Sequence, residues 1–184
     1  MPALLAQAGD LRLENEMLKR VDRVQIIVRD RDEAVRTAAA IFGAEDARND
    51  EVRRLGAKRT SVQAGASMIE FLEPDGTGPV ADFASRWGGG IYAAGFSAPD
   101  IDEAAAHLTR AGVGFERANG QLFLDAAATG GMPTVISPFE ERRPVGIIKW
   151  TFEVTNVVSD WRATAERYRR IFGLDTTNSA TRER

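Results

Sequence analysis

The feature that most restricts this chain's fold is that it repeats itself. VQIIVRDRDEAVRTAAAIFGA, GFSAPDIDEAAAHLTRAGV and VTNVVSDWRATAERYRRIFGL share one pattern. Each has a short β-branched or aromatic run, then an aspartate, then apolar residues spaced three and four apart, then a glycine. Asp30, Asp100 and Asp160 fall where a helix N-cap belongs, since a carboxylate there accepts backbone N–H bonds and faces the positive end of the helix dipole. Gly43, Gly112 and Gly173 fall where a helix ends. Three strand-like stretches follow the first helix, at about 46–55, 58–63 and 67–72. Three more follow the second, at about 114–117, 121–124 and 133–137, with Asn119-Gly120 as a hairpin turn. The unit is therefore βαβββ, present twice, with PVADFASRW as a short helical connector. A repeat of this length signals duplicated modules rather than a solenoid. The fold class is α+β.

The third copy stops after its helix. A lone strand and helix cannot bury an apolar face without partners. The organisation expected is an N-terminal extension (1–20), one domain of two modules (21–140, with modules 21–78 and 88–140), and the opening of a third module (147–184). That last piece reads as the start of a second domain, and Met17 as a natural alternative start.

Composition removes several functions. The 184 residues carry a formal charge of −3, which disfavours nucleic acid as a partner because phosphate binding needs a basic face. There is no cysteine, so thiolate catalysis, disulfides and zinc–sulfur sites are excluded. The opening MPALLAQAGDLRLENE has no basic leader and too short an apolar run for a signal peptide, and nothing is long and apolar enough to span a bilayer. No membrane role is expected, and the expected compartment is cytoplasmic. The single histidine, His107, lies in an amphipathic helix, where a packing role outweighs a catalytic one.

Two stretches carry a family resemblance. IEFLEPDGTGPVADFASRWGGGI resembles the IELLEP-type strand, Gly/Pro loop, short helix and glycine of methylmalonyl-CoA epimerase-like proteins. FLDAAATGG resembles their FLHPKSTGG stretch. With the paired modules, the chain resembles the vicinal oxygen chelate superfamily, which includes glyoxalase I, extradiol dioxygenases and bleomycin-resistance proteins. The resemblance implies paired βαβββ modules forming a curved mixed sheet around a cleft. It also implies a divalent metal held by one residue from each of four strands, a Lewis acid for neighbouring substrate oxygens.

Carried over position by position, the ligand set is mostly gone. The first-strand histidine position holds Arg23. The fourth-strand position holds Glu70, a usable ligand. The second module's histidine position holds Ala93, and the last position holds Val135, or Ser137 if the register slips by two. One carboxylate does not hold a catalytic cation, and a guanidinium at another position adds repulsion. No metal and no other cofactor are therefore expected. The expectation is instead that Arg23 and Glu70 face each other, the guanidinium standing where the resemblance places the metal.

Glu153 falls at the place of Arg23 in the third copy, either as a ligand or base of a second site or as a solvent-facing strand residue. Tyr92, Ala93, Phe123, Val135 and Ser137 are the candidate substrate pocket. The aromatic ones read equally as plain core. Arg142–Arg143 reads as a solvated charge cluster or as an anion holder.

Three functions stay open. The first is a metal-independent isomerase or lyase using Glu70 as acid/base and Arg23 as oxyanion stabiliser. The second is a protein that binds a small organic molecule without chemistry. The third is the N-terminal part of a two-domain, dioxygenase-like enzyme. A small-molecule ligand is common to all three. Relatives pair their modules within a chain or across a dimer, which makes a homodimer an expectation as well.

Overall fold

The computed structural model describes residues 17–174. Of the N-terminal extension and the third copy, residues 1–16 and 175–184 lie outside that range. The first module comprises β1 (Arg20–Ile27), α1 (Arg31–Phe42), β2 (Glu45–Val52), a single 3-10 turn (Arg53–Leu55), β3 (Ala57–Ala64) and β4 (Ser67–Pro74). The connector helix α2 (Pro79–Trp87) leads to the second module: β5 (Gly90–Ala98), α3 (Ile101–Arg110), β6 (Glu116–Ala118), β7 (Gln121–Leu124) and β8 (Thr134–Pro138). The last helix is α4 (Trp161–Phe172).

The eight strands form one curled sheet in the order β2-β3-β4-β1-β5-β8-β7-β6. The two modules meet where β1 and β5 pair antiparallel, with Arg23 opposite Gly95 and Gln25 opposite Ala93. On each side of that seam a parallel pair follows, β1 with β4 and β5 with β8, and then antiparallel hairpins. The sheet is thus mixed and internally two-fold.

The three aspartates do cap the helices. Asp30 Oδ1 accepts from the Glu33 N–H at 2.8 Å, Asp100 Oδ1 from Asp102 and Glu103 at 2.8 and 3.0 Å, and Asp160 Oδ1 from Ala163 at 3.0 Å. Helix α1 lays Ala34, Val35 and Ala38 against Val62, Ile69 and Phe71 of β3 and β4. Helix α3 lays Ala104 and Leu108 against Leu122, Leu124 and Ile136 of β7 and β8. These two clusters cover one face of the sheet, one per module. The other face carries a third cluster, in which Ile27, Ala57, Leu72, Phe123 and Val135 meet Val80 and Phe83 of α2.

The third copy behaves differently from the first two. Residues 149–158 form no strand. Strand β1 gains its ladder from β4 and β5. Segment 149–158 has no equivalent of either among the described residues, so the same residue pattern stays extended and unpaired. It is held at its start, where Lys149 O accepts from the Ala66 N–H at 2.7 Å and the Thr151 N–H donates to Ser67 Oγ at 2.9 Å, and near its end, where Asn156 Nδ2 donates to Gly130 O at 3.4 Å and to Tyr168 Oη at 3.1 Å. Helix α4 nonetheless docks on this domain. Ile171 and Phe172 are buried in the α3 cluster with Met17, Leu18 and Leu108, and His107 Nε2 lies 3.1 Å from Ile171 O. His107 is thus a packing residue that joins α3 to the end of α4.

Candidate functional site

Along β1 alternate residues face the same way, so Arg23 and Gln25 share a face. The parallel ladder sets Glu70 of β4 opposite Gln25. Strand β3 brings Arg59 in from the other side of β4, and β7 and β8 bring Gln121 and Ser137 across the cleft. All five side chains meet at Glu70 or beside it, and all are buried.

Glu70 is saturated with donors. Its Oε1 accepts from Arg23 Nη1 at 2.6 Å and from Gln121 Nε2 at 3.2 Å. Its Oε2 accepts from Gln25 Nε2 at 2.8 Å and from Arg59 Nη1 at 3.2 Å. Each guanidinium has a second carboxylate behind it. Arg23 Nη2 donates to Asp22 Oδ2 at 2.8 Å, while Arg59 grips Asp50 two-pronged, at 2.8 and 2.6 Å. Asp22, fully buried, also accepts from Arg142 Nη1 at 2.9 Å. Arg142 is therefore an ordered member of the network rather than a solvated linker charge, because buried Asp22 needs more than one cation to offset its desolvation.

The electrostatics follow from this packing. Burial acts to raise the pKa of Glu70, but the charges of Arg23 and Arg59 and the hydrogen bonds from Gln25 and Arg23 outweigh it. The carboxyl is held below its ordinary value and stays ionised. For Arg23, burial disfavours the cation, yet Glu70 and Asp22 more than compensate and its pKa is raised. Arg59 behaves alike, with Asp50 and Glu70 as its partners.

Gly95 makes room for this arrangement. A Cβ there would lie 1.9 Å from Arg23 Cγ, near the root of the side chain where it cannot swing aside. A residue larger than glycine opposite Arg23 would push the guanidinium off Glu70.

The two-fold register identifies equivalent positions. Glu70 lies opposite Gln25 as Val135 lies opposite Gly95, and Gln25 and Gly95 hold matching places across the seam. Val135, not Ser137, is thus the counterpart of Glu70. By the same register Arg59 and Gln121 are counterparts, and they bond to each other, Arg59 Nη1 to Gln121 Oε1 at 2.5 Å. The four positions to which the family resemblance assigns metal ligands hold Arg23, Glu70, Ala93 and Val135. They offer one engaged carboxylate, one cation and two side chains with no donor atom, a set that does not suit a divalent ion.

The remaining candidates separate into three places. Arg23, Glu70 and Ser137 line a cavity of about 340 Å³ together with Arg48, Asn49, Asp50, Arg59 and Gln121. Tyr92 and Glu153 line a wider groove of about 920 Å³ between α2, residues 125–133 and residues 151–155. Tyr92 stands edge-on to Phe83 at 5.5 Å, and burial raises its pKa. Ala93, Phe123 and Val135 are buried, the latter two in the apolar cluster under α2. Glu153 is exposed and lines a different cavity from Glu70.

Gln25, Arg59, Gln121, Asp50 and Asp22 were not expected at the site. One of them leaves a signal in the sequence: Gln25 is two residues from Arg23 on one strand and so shares its face. The other four leave none. Their convergence depends on register across strands, which local pattern does not carry.

Comparison with known proteins settles the family. The description "Glyoxalase/Bleomycin resistance protein/Dioxygenase superfamily" matches residues 22–122. The chain belongs to this superfamily. No curated protein matches the sequence. Among solved structures, methylmalonyl-CoA epimerase from Mycobacterium tuberculosis superposes with a TM-score of 0.60 at 20% identity, covering 68% of this chain and 91% of that one. A variant of Streptomyces coelicolor methylmalonyl-CoA epimerase, solved with 2-nitronate-propionyl-CoA, gives 0.57 at 24% identity over 65% and 98%. A hypothetical protein from Bacillus halodurans gives 0.55 at 21% identity over 67% and 96%. At these identities the likeness is one of fold.

Proposed function

We propose that this superfamily member binds a small organic molecule in its cleft and does so without a divalent cation, an ion network forming the cleft floor in the metal's place. The observation that carries this reading is the coordination of Glu70. Its two oxygens accept from four side chains, two of them guanidinium groups. A metal ligand needs a lone pair directed at the ion, and a general base needs both a free lone pair and proton affinity. Glu70 has its lone pairs engaged and its proton affinity lowered. The geometry therefore supports binding over proton transfer by Glu70, and favours Arg23 as the ion-pair partner of Glu70 over a role as oxyanion stabiliser.

The test is ligand-induced thermal stabilisation across a small-molecule panel, run with and without EDTA. The reading predicts identical shifts in both conditions, because the floor is made of side chains. Stabilisation that disappears with the chelator and returns with manganese or cobalt would overturn it.

A second reading concerns the chain's organisation. Residues 147–174 repeat a module opening, with Asp160 capping α4, yet the strand part is unpaired. We infer that this segment opens a further module, as in a two-domain relative, with Glu153 in the place of Arg23.

A further inference from the structure

A census of donors and acceptors around the 340 Å³ cavity points to the ligand's charge. Three carboxylates line it, and each is already held by a guanidinium: Glu70 by Arg23 and Arg59, Asp50 by Arg59, and Glu140 by Arg142. The uncommitted cation is Arg48, and neutral donors accompany it. Arg48 lines the cavity from β2 and makes no hydrogen bond or ion pair among the described residues. Ser137 accepts from Gln121 at 2.9 Å, which leaves its hydroxyl proton to give. Asn49 uses its carbonyl oxygen, which accepts from Thr60 Oγ1 at 2.6 Å, and keeps its amide protons.

A cation entering here meets Arg48, and the four guanidinium groups that line the cavity outnumber its three carboxylates. A neutral molecule leaves Arg48 without an ion partner among the described residues. An anionic oxygen supplies one, since charge-assisted bonds from guanidinium to carboxylate are the strong ones. Apolar contact comes only from Met68 and Pro138, and the volume is at the small end of ligand pockets.

We propose that the cavity is a binding site for a small organic acid, its carboxylate held by Arg48 at the mouth and by the spare donors of Asn49 and Ser137 inside. This rests on the reading of the cleft as a metal-free binding site and adds the chemical class of what it binds.

The experiment is isothermal titration of the full chain with the linear dicarboxylates from malonate to adipate, and with the neutral diamide of any acid that binds. Arg48→Ala is informative because the Arg48 side chain is exposed and has no partner among the described residues, so its loss leaves the fold intact. The expected result is that at least one acid binds, its diamide binds at least about tenfold more weakly, and Arg48→Ala weakens the acid by about tenfold with partial recovery in Arg48→Lys. No binding by any acid up to about 10 mM overturns the assignment. So does equal binding of acid and diamide, or an unchanged affinity in Arg48→Ala. These outcomes leave the metal-free reading standing. Conversely, acid binding that is lost in EDTA overturns both that reading and the assignment of the carboxylate to Arg48.

Discussion

At the scale of single residues, Arg23 and Glu70 stand or fall together. Removing one partner of a buried ion pair leaves a charge with nothing to offset its desolvation, at a cost of about 3–5 kcal/mol. Glu70→Leu and Arg23→Met should each lower unfolding free energy by about that amount. The double variant should lose less than the sum of the two, because neither charge is left stranded. Chemical denaturation of the three variants measures this directly, and strict additivity would show that the pair is not coupled.

The same carboxylate sets an acid limit on stability. Its native pKa is depressed, whereas in the unfolded chain it returns to about 4.5. The stabilisation is therefore fully present above that value. It falls away as pH drops through the ordinary carboxylate range towards the depressed native pKa. Urea unfolding followed from pH 7 to 3 should show this decline in the wild type and a shallower one in Glu70→Leu. Equal slopes would place the acid sensitivity elsewhere.

At the scale of elements, one sequence pattern appears three times but builds a strand only twice. Strand β1 has ladder partners on both sides. The backbone of residues 152–158 has none among the described residues. Hydrogen exchange should therefore find the amides of Val24 and Ile26 strongly protected and those of Phe152, Thr155 and Val157 exchanging as unprotected groups. Protection of the second set at working concentration would mean that another strand covers it.

This contrast also marks how far the sequence could be read. The helices, their aspartate caps and the two-module plan are local features: periodicity, cap chemistry and turn residues declare them. The Arg23–Glu70 pairing could be anticipated from the family resemblance because each residue sits alone in a recognisable strand. Arg59 and Gln121 could not be placed, since their meeting depends on the register of β3 and β7 across the seam. The docking of α4 was illegible for another reason: Phe172 sets its ring against Phe96 of β5 at 5.9 Å, and helical spacing says only that the helix has an apolar face.

At the scale of the whole molecule, the open question is whether 147–174 belongs energetically to the two modules before it. Ile171 and Phe172 are almost fully buried beside Phe96, Leu108 and Met17. A chain ending at Gly146 should expose that surface and lose stability by at least the cost of one large core truncation, about 3–5 kcal/mol. An unchanged denaturation midpoint would make the segment an independent unit that merely rests on this one.

The paired modules, the two-fold register and the curled sheet are those of the superfamily, and the four positions to which the resemblance assigns metal ligands hold Arg23, Glu70, Ala93 and Val135. A cation still sits against Glu70, but it is the guanidinium of Arg23, with Gly95 shaped to let it in. The most direct test is the metal content of the purified chain, measured by elemental mass spectrometry after dialysis without chelator. The account predicts no manganese, iron, cobalt, nickel or zinc near one equivalent per chain. A near-stoichiometric metal in the wild type that is lost in Glu70→Leu would contradict it, because Glu70 would then be a ligand and not the anchor of an ion pair.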